Sequence, residues 1–312
     1  MRVLLAGATG ALGRALTPML IEAGHDVVGT TRTPGSFAAL ADAGAEPVLL
    51  DGLDEESVRK AVTTAEPDVV IHQLTALKKL ANLKKFDEEF AETNRLRTEG
   101  TDHLLKAALE VGATRFIAQS FTGWTNPRGP SALATEADGL DPHPEPEARR
   151  TLAGIDYLER VVTETTGLTG IALRYGGFYG PGTGLGRDGD MLDLVRGRKL
   201  PIVGAGQGVW SFIHIHDAAR ATALAVEHGS AGLYNVVDDQ PAPVAEWLPA
   251  LAETIGAKGP RRVPAWLARP MIGRHGVMMM TGMRGSSNVK AKRELGWQPA
   301  YPTWREGFQH LG

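Results

Sequence analysis

An apolar run, RVLLA at residues 2–6, passes directly into GATGALG at 7–13 and then into a segment whose apolar residues recur at helical spacing. No other stretch restricts the fold as much. Glycines at three-residue intervals permit a tight turn, a close approach of backbone to a ligand, and close packing of the helix on the strand. The helix start then offers free N–H groups, which suits a pyrophosphate. Gly7, Thr9, Gly10, Ala11, Leu12 and Gly13 are therefore the expected phosphate-binding residues. Between the first strand and first helix of a βαβ unit, such a triplet is a specific signal.

The rest of the first half repeats that unit. Strands are predicted at 25–32, 46–51, 67–74 and 114–120, and helices at 34–44, from Asp51 or Asp54 to 66, and at 88–112. A helix at 147–166 and a strand at 169–175 continue the alternation. Strands that are apolar throughout belong to a parallel sheet covered on both faces. The expected class is α/β, a doubly wound parallel sheet of the Rossmann type. After Gly180 short strands (LPIVG, WSFIHI, GLYNVV) and glycine- and proline-rich segments take over. We expect a dinucleotide-binding domain at 1–175, with contributions from about 205–240, and a smaller substrate domain at 176–312. The proline-rich acidic segment 125–147 is the expected mobile lid.

Composition removes other classes. The chain has 312 residues, a net charge of −3 and no cysteine, so disulfides and thiolate chemistry are excluded. That charge carries no footprint for nucleic acid. No apolar run is long enough for a signal peptide core or a membrane span. A cytoplasmic protein acting on a small-molecule substrate is expected.

From end to end the chain resembles the extended short-chain dehydrogenase/reductase superfamily, which includes nucleotide-sugar epimerases and dehydratases. The resemblance rests on GATGALG (7–13), Asp51 with Asp54, VVIHQLT (69–75), EGTDHLLKAA (99–108), LRYGGFYGPG (173–182), WSFIHIHDAARA (210–221), LYNVVDD (233–239) and KRELGWQP (292–299). It implies an NAD(P) cofactor, with Asp51 and Gly52 at the adenine and Leu74 and Thr75 near the nicotinamide, and it allows a homodimer. An acid that accepts from the ribose hydroxyls usually ends the second strand. Here Thr31 takes its place and Arg32 follows. A guanidinium there suits a 2′-phosphate, so NADP is expected over NAD.

The resemblance also implies a Tyr-x-x-x-Lys proton-transfer pair on the helix at 147–166. Counting back from Arg174 by the family's spacing places it at Ala148 and Leu152, and none of the five tyrosines has a lysine four residues on. The usual acid/base pair is absent, as in the atypical members. Ser120 or Thr122 could polarise a carbonyl or merely bond to the cofactor, and Tyr175 could donate a proton or touch the cofactor. Arg149 and Arg150 could meet an anionic substrate or stay solvated, and Tyr157 is expected to pack on the core. His214, His216 and Asp217 read better as a strand end and a helix N-cap than as a metal site. The lysine-rich 77–86 segment reads as a solvated helix face, and Met278–Met280 with Trp266 could line a substrate pocket or fill the core. Three functions fit, in this order: an NADPH-dependent reductase of a small carbonyl or enone-like molecule, a non-catalytic NADP(H) sensor, and a nucleotide-sugar epimerase or dehydratase.

Overall fold

The computed structural model describes residues 1–77, 82–129 and 131–312. Its centre is a seven-stranded parallel sheet. The strands are β1 (Arg2–Ala6), β2 (Asp26–Thr31), β3 (Glu46–Leu49), β4 (Val69–His72), β5 (Arg115–Phe121), β6 (Thr169–Tyr175) and β7 (Gly232–Val236). They lie in the order β7-β6-β5-β4-β1-β2-β3, and every pairing is parallel. The order reverses between β1 and β4. That switch point opens a crevice at the carboxyl ends of the strands.

Alternation of side chains explains the continuous apolar runs. Val3, Leu5, Ile71, Ile117, Ile171 and Leu173 are buried under α1 (Ala11–Glu22) and a helix at Ile215–Glu227. Leu4, Ala6, Val70, Phe116, Ala118 and Ala172 are buried on the other face. There they meet Val58 and Val62 of α2 (Glu55–Ala65), Leu104 and Ala108 of α3 (Glu99–Glu110), and Leu158 and Val162 of α4 (Arg149–Glu164). Asp54 is the N-cap of α2, accepting from Glu56 and Ser57 N–H groups, which leaves Asp51 free of that role.

Several expectations change. The predicted helix at 88–112 is three pieces, Phe86–Glu89, Ala91–Arg97 and α3, broken at Phe90 and Thr98. The GLYNVV strand, within the 205–240 stretch expected to contribute to the dinucleotide-binding domain, is β7 at the sheet edge. A second apolar core, apart from the sheet's, joins Ala148 and, in α4, Leu152 and Ile155 to Phe86, Trp124 and the chain's last third, including Trp210, Trp247, Met280 and Trp304. So α4 belongs to two cores, its end to the sheet and its start to this second one. In the 125–147 segment, of which residue 130 lies outside the described residues, Arg284 donates to the carbonyls of Pro127, Ser131 and Leu133, and Leu133–Ala134 pairs with Gly285–Ser286. Of the lysine-rich stretch 77–86, residues 78–81 lie outside the described residues; Leu83–Lys85 forms a short 3-10 turn. Among the described residues no helix is long and apolar enough to cross a membrane.

Candidate functional site

The glycine loop lies at the switch point. Gly7 has φ +98°, and a Cβ there would stand 2.8 Å from the Gln73 carbonyl oxygen at the end of β4. A Cβ on Gly13 would reach 2.3 Å from the Gly7 carbonyl, so α1 and β1 pack as closely as backbones allow. Gly10 is the N-cap of α1, no side chain caps that end, and no acid occupies its first turn. An uncapped helix start facing a side-chain-free loop fits a diphosphate. Arg14, which the glycine pattern does not single out, folds back to donate to the Thr9 carbonyl at 2.7 Å and adds a positive charge at the loop.

Arg32 follows β2 and is exposed. It pairs with Glu92 at 3.1 Å. Asp51 is exposed and accepts from the Leu53 N–H. Gly52 is buried where a Cβ would collide with Leu74, and Leu74 and Thr75 are half-buried beyond β4. Leu74 also adjoins the glycine loop, since a Cβ on Gly7 would stand 3.3 Å from the Leu74 nitrogen.

The reaction-centre candidates are arranged differently from the expectation. Ser120 donates to Glu159 Oε1 at 2.5 Å, and Arg174 binds that carboxylate through Nε (2.7 Å) and Nη2 (2.6 Å), all buried. Thr122 bonds to Asn126 Oδ1 and Ser286 Oγ, and so belongs to the cluster that fastens the 125–147 segment. Tyr175 is 1% exposed, its hydroxyl held by Thr222 (2.7 Å) and Gln73 (3.3 Å). Burial raises its pKa well beyond that of a free tyrosine. Thr122 and Tyr175 thus have their hydroxyls engaged in the interior, and the Ser120 hydroxyl is bonded to Glu159.

The first turns of α4 hold no proton-transfer pair. Ala148, Thr151, Leu152 and Ile155 form the buried face. Their single hydroxyl, on Thr151, donates to Asp87 at 2.7 Å, and Asn94 donates to it in turn. Arg149 and Arg150 are exposed, Arg150 lying 3.7 Å from Asp87. Other arginines gather elsewhere: Arg269 and Arg274 line a depression of about 490 Å³ with Arg128 and Glu145.

The remaining expectations resolve as structure. Asp217 is no N-cap; its carboxylate accepts from the Ala300 and Tyr301 N–H groups, and His214 caps the helix at 215–227. Among the described residues no group of three metal-ligating side chains comes together. Tyr157 donates to Asp102 at the surface instead of packing inward. Trp266 is 76% exposed, whereas Met280 is buried in the second core.

One buried polar cluster escaped sequence reasoning. The helix α5 (Ala265–Thr281) breaks at Gly273, with φ 73° and ψ 178°. The break lets Glu147 Oε1 accept from the Arg274 N–H and brings His275 against Phe86 and Trp124, at ring distances of 4.5 and 5.1 Å. His275 is fully buried, and neither ring nitrogen has a partner among the described residues; Glu147 Oε2 is likewise buried and unpaired. Only the juxtaposition of distant segments creates this site, and no local motif announces it.

Comparison with known proteins agrees with this architecture. A human epimerase family protein solved with NADPH shares the fold, at TM-score 0.76 and 21% identity over 100% of this chain and 99% of that one. The UDP-glucose 4-epimerase of Thermus thermophilus, solved with NAD, matches at TM-score 0.74 and 26% identity, covering 100% and 97%. A curated relative from a Streptomyces species, named 3-diazoavenalumate denitrifying reductase, is 45% identical over 99% of both chains. The model of the NAD dependent epimerase/dehydratase family matches residues 3–237. With that match, the seven-stranded doubly wound sheet and the glycine loop at its switch point, the chain belongs to the NAD dependent epimerase/dehydratase family.

Proposed function

We propose that this chain is an NADPH-dependent reductase of a small aromatic or conjugated molecule whose electron-poor group accepts hydride without a positioned proton donor. One observation carries the reading: the buried face of α4 offers a single hydroxyl, and that hydroxyl is bound to Asp87. Reducing a ketone puts a proton on oxygen as hydride arrives, and losing a placed acid costs about 10²–10⁴-fold. A diazo group in its aryl diazonium form needs no proton. A C–H bond forms from the hydride, the C–N bond breaks with its electron pair leaving on dinitrogen, and the cation becomes a neutral arene. The 45%-identical relative, named a denitrifying reductase of a diazo compound, supports that class above the simple carbonyls.

A reduced nicotinamide supplies a hydride when bound. The protein's part is to bind and orient it. The uncapped start of α1, the side-chain-free loop at Gly7, Gly10 and Gly13, and Arg14 suit the diphosphate. Arg32 suits a 2′-phosphate, and Asp51 with Gly52 suits the adenosine end.

The test is binding followed by turnover. NADPH and NADH are titrated by calorimetry, and NADPH consumption is then followed with an aryl diazonium carboxylate, an enone and a simple ketone. The nicotinamide is deuterated at its transferable position. We expect tighter NADPH binding, deuterium on the ring carbon that lost dinitrogen, and ketone turnover slower by at least about 10²-fold. Ketone reduction as fast as diazonium reduction overturns the reading. Tight NADPH binding with no turnover on any substrate points instead to a nucleotide sensor.

A further inference from the structure

We propose that the first half of α5 is a membrane-surface anchor: residues 265–272 lay an apolar stripe into the interface of an anionic bilayer, and the arginines beside them hold lipid phosphates. The reductase reading is neither needed for this nor affected by it. Charge along the chain is uneven. Between Glu253 and Glu294 there is no acidic residue, yet nine lysines and arginines fall there, in a chain whose net charge is −3. Arg284, Lys290, Lys292 and Arg293 are engaged with carbonyls, Asp239 or Glu294. Lys258, Arg261, Arg262, Arg269 and Arg274 are exposed and have no ion-pair partner among the described residues.

Apolar side chains on the same segment face outward. Ala265, Ala268 and Ile272, at helical spacing, pack onto the second core. The opposite face carries Trp266, Leu267 and Met271, which are 76%, 45% and 69% exposed. A helix that is apolar all round is normally buried all round, and a patch of this kind marks a binding surface. The break at Gly273 ends the stripe. Beyond it Arg128, Arg269, Arg274 and Glu145 line the depression of about 490 Å³, together with Val277 and Met278. Arg128 is paired with Glu145 at 2.7 Å, which leaves Arg269 and Arg274 for an anion. The other acid nearby, Glu147, accepts from the Arg274 N–H and buries its second oxygen.

These features select a lipid surface as the occupant. Side chains as exposed as Trp266 and Met271 stand out from the protein, and a bilayer accepts a protrusion that another protein could accept only in a matching groove. A large aromatic side chain buries about 150–250 Å², so three residues fall short of the roughly 800 Å² per partner of a stable protein interface. A second copy meeting this face about a two-fold axis would set arginines against arginines. Tryptophan and aliphatic side chains at headgroup depth, with arginines alongside, are how an interfacial helix binds without spanning.

The experiment is co-sedimentation of the full chain with vesicles of phosphatidylcholine alone and of phosphatidylglycerol mixed equally with phosphatidylcholine, joined to fluorescence quenching by lipids brominated on the acyl chain. The other five tryptophans are buried, at 8% exposure or less, so bromine quenching reports Trp266. We expect binding to the anionic vesicles at least about tenfold tighter than to the neutral ones, with quenching, and loss of binding as salt rises from about 0.05 M to about 0.5 M. Arg269→Gln and Arg274→Gln should each weaken it about fivefold, the factor for one cation at an anionic surface. Trp266→Ser should weaken it at least about tenfold and abolish the quenching. All three side chains are exposed, so thermal midpoints should hold; Met271→Ser repeats the apolar test should Trp266→Ser fail to fold. No binding to the anionic vesicles, or binding that ignores both the arginines and Trp266, overturns the proposal. So does a dimer seen by sedimentation that Trp266→Ser dissociates, since the stripe would then be covered by a second copy.

Discussion

Arg32 shows how one side chain can bear on the choice of cofactor and still be masked by a neighbour. It follows β2, where family members that use NAD carry an acid, and it is held by Glu92 at 3.1 Å with both side chains largely exposed. A pair of this kind is worth about 0–1 kcal/mol, so a dianionic 2′-phosphate can displace the carboxylate. Freeing the guanidinium should therefore help the phosphate. Glu92→Gln is expected to tighten NADPH by about twofold to fivefold, the factor implied by that pair energy, and to leave NADH unchanged. Arg32→Ala should weaken NADPH alone, and in the double variant the Glu92→Gln gain should vanish. Titration of the four proteins with both nucleotides checks this; a gain that survives without Arg32 disproves the competition. The residue itself is legible in the sequence, since Thr31-Arg32 stands where the acid is expected. Its partner, sixty positions away, is not visible there.

At the level of elements, legibility follows the range of the interactions. The central strands could be read because both sheet faces are covered, so the middle of each is apolar whatever its partners, whereas β3 (EPVL) is only half-buried. Thr98, where one predicted helix becomes two, has φ −100° and ψ −84°, and nothing in RLRTEGT forecasts that break. The Ser120–Glu159–Arg174 cluster and the His275–Glu147 pair join segments far apart in the chain, so their geometry arises only once helices meet. The kink of α5 is the least readable element and the most consequential. Gly273 lies at φ 73° and ψ 178°, a region open in practice only to glycine, and a Cβ there would stand 3.1 Å from Glu147 Oε1 and 3.3 Å from Lys84 Cα. Gly273→Ala should cost about 1–3 kcal/mol, read as a lower urea midpoint, without changing NADPH binding. Gly256, at φ +67° with nothing within 4 Å of its notional Cβ, is the control. Gly256→Ala should lose less stability. Equal losses from the two substitutions would show that the contacts around Gly273 add nothing to its backbone strain.

For the molecule as a whole, the buried titratable groups set how stability responds to acid. His72, His214 and His275 are each buried, and burial lowers each pKa to about 4. An unfolded histidine titrates near 6.5. Between those values the unfolded chain binds the proton and the folded chain does not, so these groups make stability fall as pH drops from about 6.5 toward 4. Asp238 acts in the opposite sense. Burial holds its carboxyl well above the usual range, so it opposes that trend above the ordinary carboxylate range. The three histidines outnumber it, and each proton is worth about 1.4 kcal/mol per pH unit. The exposed carboxylates with lowered pKa, such as Glu55 and Glu99, join the trend only below their ordinary value. Urea unfolding at pH 7, 6 and 5 should therefore show a loss of stability that begins above the ordinary carboxylate range. In His275→Phe the slope should fall by about one proton, because one of the three histidines is gone. A wild type equally stable at pH 7 and 5 would mean that these imidazoles are not kept neutral by burial, and an unchanged slope in His275→Phe would exclude His275 from that set.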